Sequence, residues 1–262
     1  MKKDIQIGII GGTRGMGRWF ADILKKQGYA VQVCGKNTGV TPADLAGGCD
    51  VVVVGVPIKI TCGIIEEIGP RLREEALLMD LTSLKAEPVK AMLKYSRSEV
   101  IGCHPLFGPL VQTIAGQRVV LCPARTERWL PWLRSVLQEA GALVVETTPE
   151  EHDHRMALVQ GLNHLNSLTM GMVLSGAETG LAELSRFSTP AFQEKMGIIE
   201  KVFRSNPRLY AEIIAMNTDI DPIIDRYEQV LSELKTLIRT RNTEGLVGLM
   251  AHHAAGLWPP DS

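Results

Sequence analysis

The sequence has no surplus of charge, no long apolar run and no paired cysteines, and each lack removes a class of protein. Lys and Arg number 28 against 29 Asp and Glu, a formal net charge of −1. No basic face therefore points to nucleic acid or to an anionic membrane surface. No apolar run approaches the roughly 20 residues that a membrane helix needs. Met1-Lys2-Lys3 leads into a short strand pattern without the cleavage region of a signal peptide, so a cytosolic protein is expected. The five cysteines (Cys34, Cys49, Cys62, Cys103, Cys122) are odd in number and form no CxxC pair. Reduced, buried thiols are expected in place of a disulfide framework or a zinc site.

What remains is the composition of a folded globular protein, 45% hydrophobic and 22% charged over 262 residues. That length suits one large domain or two ordinary ones. Strand patterns rich in Val, Ile and Leu fall at residues 5–10, 30–34, 50–54, 76–80, 99–101, 118–122 and 142–146. Continuous apolar runs of this kind belong to parallel strands covered on both faces. Helical patterns lie between them at 16–27, 60–73, 87–95 and 127–140. The alternation predicts an α/β fold, a Rossmann-type doubly wound parallel sheet.

After Thr148 the strand patterns stop. Pro149-Glu150-Glu151 opens a helix expected to run to about residue 174, and further helices are expected at 181–186, 190–204, 207–216, 221–239 and 243–255. The division is placed at 148: a dinucleotide-binding domain over 1–148 and an all-α helical domain over 149–262. Such a helical domain usually buries its apolar faces against a second copy, so a homodimer through the C-terminal half is expected. The tail 259–262 is expected to fray.

Residues 5–17 read IQIGIIGGTRGMG and run directly into a helical pattern. A buried strand, a glycine turn and a helix N-terminus make a dinucleotide-phosphate site, because glycines admit the pyrophosphate and the helix offers N–H groups. Gly11, Gly12, Thr13, Arg14, Gly15, Met16 and Gly17 are the candidate contacts. The match to GxGxxG is imperfect, since alignment on Gly12 and Gly17 puts Arg14 in the place of the middle glycine. Gly11 and Gly15 are expected to supply the turn's freedom. At the end of the second strand, Cys34-Gly35-Lys36-Asn37 lacks the acid that usually accepts hydrogen bonds from the ribose of NAD. Lys36 and Arg14 can both reach a 2′-phosphate, which favours NADP, with NAD as the alternative. The plainer reading makes both of them solvated surface cations.

Three later segments carry a resemblance: Asp80-Leu81-Thr82-Ser83-Leu84-Lys85, then Gly102-Cys103-His104-Pro105-Leu106-Phe107-Gly108-Pro109, then the run from Glu151 to His164 (EHDHRMALVQGLNH). With the glycine loop, and with Ser188-Thr189-Pro190 through Ile214, they resemble the prephenate/arogenate dehydrogenase family over nearly the whole chain. The first strand begins close to residue 1, which leaves no room before it for the chorismate mutase segment of bifunctional relatives. A stand-alone dehydrogenase is therefore expected.

The resemblance implies NAD(P)-dependent oxidative decarboxylation of a cyclohexadienyl acid in tyrosine biosynthesis. It implies that His104, on a loop after a strand, accepts a hydrogen bond from the hydroxyl being oxidised, a task suited to neutral imidazole. It further implies that Ser83 bonds His104 or that hydroxyl, and that Lys85 supports the site electrostatically. Ser83 can equally be a helix N-cap. His152, Met156, Gln160, His164 and Ser167 recur at helical spacing and form one polar face, with Leu158, Leu162, Leu165 and Leu168 elsewhere. By resemblance His164 and Gln160 lie near the substrate and His152 near the interdomain cleft; satisfied core histidines are the alternative. Zinc on His152, His154 and His164 has no supporting ligand spacing. His252 and His253 are expected at the surface or in a dimer interface.

The sequence departs from the family after Thr189-Pro190-Ala191-Phe192, where Gln193 replaces an arginine that grips a substrate carboxylate. Glutamine carries no charge and cannot form the bidentate pair, which puts the substrate's identity in question. Arg186 and Arg155 are the candidate substitutes. Two rival readings remain: another NADP-dependent reductase or hydroxyacid dehydrogenase acting on a small acid, and a non-catalytic NADP-sensing protein.

Overall fold

The computed structural model describes residues 4–258; the tail expected to fray, 259–262, lies outside them. The chain divides into two compact units, residues 1–217 and 218–262. The first carries a seven-stranded sheet in the order β2-β1-β3-β4-β5-β6-β7. The strands are β1 (Gln6–Ile10), β2 (Ala30–Cys34), β3 (Val51–Val54), β4 (Leu77–Asp80), β5 (Glu99–Pro105), β6 (Arg118–Arg125) and β7 (Leu143–Glu146). β3 is four consecutive valines, all fully buried, as a central strand with helices on both faces requires. The sheet helices are α1 (Gly15–Lys26), α2 (Pro42–Gly48), α3 (Ile58–Ile68), α4 (Ala86–Tyr95) and α5 (Trp129–Glu139). One apolar cluster gathers Phe20, Leu24, Trp129 and Leu133 against Ile7, Val51 and Met79. A second gathers Leu45, Ile65, Ile68 and Met92 against Val52, Val54 and Leu78.

Two features depart from the sequence reading. α2 was not expected; it is built on a Pro at its start and a reciprocal Thr41–Asp44 capping box. The sheet is also not wholly parallel, because β6 runs antiparallel to β5. That pairing carries β5 on to Pro105, so His104 stands within the strand opposite Val120, not on a loop after it.

After β7 the chain is helical: α6 (Pro149–Met156), a π turn (Ala157–Leu162), α7 (Asn163–Ser175), α8 (Leu181–Arg186), α9 (Pro190–Glu200), a second π turn (Lys201–Ser205) and α10 (Pro207–Ala215). The long helix expected from 149 is thus continuous but wound looser in its middle. In the second unit α11 (Asp221–Arg239) and α12 (Thr243–Leu257) lie against each other, and neither contains a buried residue. His252 and His253 are exposed on α12. Among the described residues no helix is long and apolar enough to cross a membrane.

Candidate active site

The parallel strands β1, β3, β4 and β5 end on one edge of the sheet, where open α/β sheets hold their ligands. At the end of β1 the turn is tight. Gly11 has φ +81°, and a Cβ there would stand 2.4 Å from the Gly55 carbonyl oxygen. A Cβ on Gly17 would stand 2.5 Å from the Gly11 carbonyl oxygen, so α1 starts pressed onto the loop. Gly15 also has positive φ, +57°, so the two glycines expected to free the turn do so. No side chain caps α1 and no acid lies in its first turn, which leaves its N–H groups and partial positive charge for an anion. The turn thus has the close backbone and the free N–H groups that a dinucleotide pyrophosphate needs.

The loop is tied to the end of β2, with the Gly11 and Gly12 N–H groups donating to the Cys34 carbonyl at 2.8 and 3.2 Å. Gly35 leaves its space to the side chain of Thr13. Arg14 and Lys36 flank this junction, both exposed, and neither has an ion-pair partner among the described residues.

At the end of β4 the Asp80 carboxylate is fully buried. Its Oδ2 accepts from the Thr82 N–H at 2.9 Å and from the Thr82 hydroxyl, and it pairs with the ammonium of Lys85. Lys85 also donates to the Cys103 carbonyl at 3.1 Å. The fully buried Lys85 is therefore an internal charge behind β5 and faces no open cleft. Ser83 is half-buried and has no side-chain hydrogen bond among the described residues. It does not cap α4; the Asp153 carboxylate of α6 does so instead, accepting from the Lys85 N–H at 2.7 Å and the Ala86 N–H at 2.8 Å.

His104 is 3% exposed. Its Nδ1 lies 2.9 Å from Nε2 of His152, and Nδ1 of His152 lies 2.7 Å from Asp153 Oδ1. The rings of the two histidines meet edge-on, with centroids 5.0 Å apart. Burial, then His152, then Lys85 hold His104 well below the ordinary imidazole range. Burial also lowers His152, against the opposing pull of Asp153. Among the described residues Nε2 of His104 bonds no protein atom and is not one of the sealed polar atoms without a partner. Neutral His104 thus offers one ring nitrogen away from the protein. The segment after it is held against α1: Phe107 meets Trp19 at 4.8 Å between centroids, and Trp19 Nε1 donates to the Val111 carbonyl at 2.7 Å.

The other predicted residues separate into groups. His152 is placed between His104 and Asp153, with both ring nitrogens engaged. Gln160 and His164 lie further along the same helical run, and Gln160 Oε1 and His164 Nδ1 are sealed without a partner. Gln193 is elsewhere, donating to the Ser188 hydroxyl at 2.8 Å. It lines a cavity of about 690 Å³ with Gly171, Phe192, Met196 and Phe203. Arg186 is exposed at the end of α8, and Arg155 pairs with Glu151 at 2.7 Å on the surface. His154 is exposed, apart from buried His152. Sequence reasoning passed over Asp153. The signal was its place directly after His152, before a helix turn whose outer residues are charged.

The comparisons with known proteins agree with this arrangement. Residues 21–146 match the family described as "Prephenate dehydrogenase, nucleotide-binding domain", and residues 148–252 match its "dimerization domain". The chain is 34% identical over 96% of its length to a probable arogenate/prephenate dehydrogenase of Methanocaldococcus jannaschii. It is 33% identical over 97% of its length to the T-protein of Haemophilus influenzae. It spans 60% and 67% of those two proteins' own lengths. A crystal structure of prephenate dehydrogenase from A. aeolicus, in complex with hydroxyphenyl propionate and NAD+, shares the fold with a TM-score of 0.77 at 21% identity, over 98% of each chain. With both family regions matched in order and a buried histidine at the sheet's ligand edge, the chain belongs to the prephenate dehydrogenase family.

Proposed function

We propose that this chain catalyses the nicotinamide-dependent oxidative decarboxylation of prephenate or arogenate. The observation that carries the reading is His104, neutral, buried and with Nε2 free of partners among the described residues, at the edge where the glycine turn lies. As the ring hydroxyl becomes a carbonyl, His104 Nε2 takes its proton. A nicotinamide held at the glycine turn would supply the hydride acceptor for the carbon that bears this hydroxyl. The ring carboxylate leaves as carbon dioxide, its bonding pair completes the aromatic ring and places a negative charge on the former carbonyl oxygen, and His104 Nε2–H returns its proton there to give the phenol, so protons and electrons balance.

Ser83, whose hydroxyl has no partner among the described residues, is assigned to the substrate hydroxyl. Lys85 is assigned a fixed charge that helps keep His104 neutral. Gln160 and His164 are assigned to the substrate, because buried polar atoms without partners are costly and a substrate hydroxyl can donate to Gln160 Oε1 or His164 Nδ1. NADP is favoured over NAD: Arg14 and Lys36 have no ion-pair partner among the described residues and stand where an acid would select NAD. Residues 1–148 are assigned the dinucleotide and 149–262 the substrate and a homodimer contact.

A panel of prephenate, arogenate and the 4-amino analogue, followed by absorbance of the reduced nicotinamide, tests the reaction. Turnover of prephenate or arogenate supports it. Cofactor binding without turnover of any of the three would leave a nucleotide-binding protein and sink it.

A further inference from the structure

The contact between His104 and His152 joins two ring nitrogens 2.9 Å apart, so one of them must carry the hydrogen. The direction is set at the far end. Asp153 Oδ1 accepts from the Lys85 N–H and Oδ2 from the Ala86 N–H, and an ionised carboxylate can only accept. Nδ1 of His152 must therefore be the donor in its 2.7 Å contact with Oδ1. Burial keeps His152 neutral, so its Nε2 is bare and accepts from His104 Nδ1–H. His104 is neutral as well, which leaves its Nε2 as a lone pair.

We infer that Asp153 and His152 are positioning residues that fix His104 in the one tautomer able to accept a proton from substrate. The inference rests on the oxidation proposed above. Without the pair, His104 could place its hydrogen on Nε2 and meet the hydroxyl as a donor. With it, the hydroxyl proton goes to Nε2, and the resulting positive charge is shared along Nδ1–H toward His152 and Asp153. The Asp153 backbone carbonyl is itself held, accepting from Asn217 Nδ2 at 2.9 Å. The charged and titratable groups around His104 are Lys85 and Asp80 at the end of β4, Cys103 beside it in β5, Cys122 across in β6, and His152 and Asp153 on α6. Among the described residues only Asp153 bonds the histidine pair with a negative charge.

The test has an arm that needs no substrate. Imidazole nitrogen NMR on the ¹⁵N-labelled full chain, assigned with His104→Gln, should show His104 protonated at Nδ1 and bare at Nε2. In Asp153→Asn the amide can donate to His152 Nδ1, and the proton on His104 should move to Nε2. The kcat of that variant should fall roughly 10²–10⁴-fold, with KM and cofactor affinity within about threefold. The acid limb of its kcat/KM profile should move to lower pH, because the group that favours the charged pair is gone. Asp153 also caps α4, so His152 gives a second route that leaves the cap intact. His152→Gln can present an oxygen to His104 Nδ1–H and should keep at least tenfold more kcat than His152→Leu. A wild-type His104 protonated at Nε2, or Asp153→Asn and His152→Leu with parental kcat, overturns the inference. If the parent turns over neither prephenate nor arogenate, the proposed reaction fails, and the NMR result still decides the tautomer.

Discussion

His164 meets the ring of Tyr210 edge-on, with centroids 4.8 Å apart, and the ammonium of Lys201 adds to burial in holding its imidazole neutral. Lys201 is therefore a cation beside a predicted substrate residue, whereas Arg155 is committed to Glu151 and Gln193 to Ser188. Lys201→Ala should raise KM about ten- to hundredfold, the loss expected for a charge-assisted contact of about 1.5–3 kcal/mol. Arg155→Ala should leave KM within about twofold. Steady-state kinetics on both variants checks this, and a rise in KM for Arg186→Ala alone would place the carboxylate at the end of α8 instead. Gln193→Arg should tighten substrate binding if the family contact has merely been lost.

His104→Ala should lower kcat by roughly 10²–10⁴, the range for a lost acid–base group. Cofactor affinity should hardly change, because the glycine turn is built without this side chain. Turnover within a few-fold of the parent would remove His104 from the reaction.

Arg14 and Lys36, beside the glycine turn, have no ion-pair partner among the described residues. NADP should bind more tightly than NAD, and Arg14→Ala or Lys36→Ala should narrow that difference. Fluorescence titration reads this through the four tryptophans, of which Trp19 lies on α1. Equal affinities for the two cofactors in the parent would contradict it.

Three histidines are depressed in the folded state: His104, His152 and His164. Each takes up a proton on unfolding once the pH is below about 6.5, the ordinary imidazole value. Stability is therefore full above that value and falls beneath it, by up to ~1.4 kcal/mol per pH unit for each histidine that stays neutral when folded. Urea midpoints should be flat between about pH 7 and 8 and drop steadily toward pH 5, and His164→Gln should flatten part of the drop. A midpoint independent of pH below 6.5 would show that these rings are not buried neutral.

α11 and α12 bury none of their residues, and Leu231, Val247, Met250 and Trp258 are more than half exposed. If a second copy covers these faces, the unfolding temperature should rise with protein concentration. Sedimentation should give twice the chain mass of 28.7 kDa. Arg or Glu at Val247 and Met250 should split the dimer; a monomer with a concentration-independent midpoint would rule the contact out.

The strands were legible because buried parallel strands are written as unbroken Val and Ile runs, as in residues 51–54. α2 was not, since seven residues built on Gly and Ala show too little periodicity, and only the Thr41–Asp44 box marks it. Antiparallel pairing extends β5 beyond its apolar run, so the strand position of His104 was hidden. The stripe His152, Met156, Gln160, His164 was visible, although four residues overshoot one α-helical turn by about 40°. The π turn at Ala157–Leu162 holds more residues per turn and takes back part of that drift. The bond between His104 and His152 spans 48 residues, and no spacing within the chain encodes it. It exists only once α6 lies against β5.

That dependence gives the chain an order of maturation. Asp153 is made after every strand of the sheet, and it both closes the start of α4 and orients the proton on His152. The glycine turn is closed by Cys34 and Gly55 and draws nothing from α6, so its formation does not wait for α6 to dock, whereas until then His104 is free to carry its hydrogen on either nitrogen. Readiness for chemistry thus arrives late, with the seating of one helical turn. On refolding, recovered cofactor binding should precede recovered turnover, with the interval between them measuring how long that turn takes to seat.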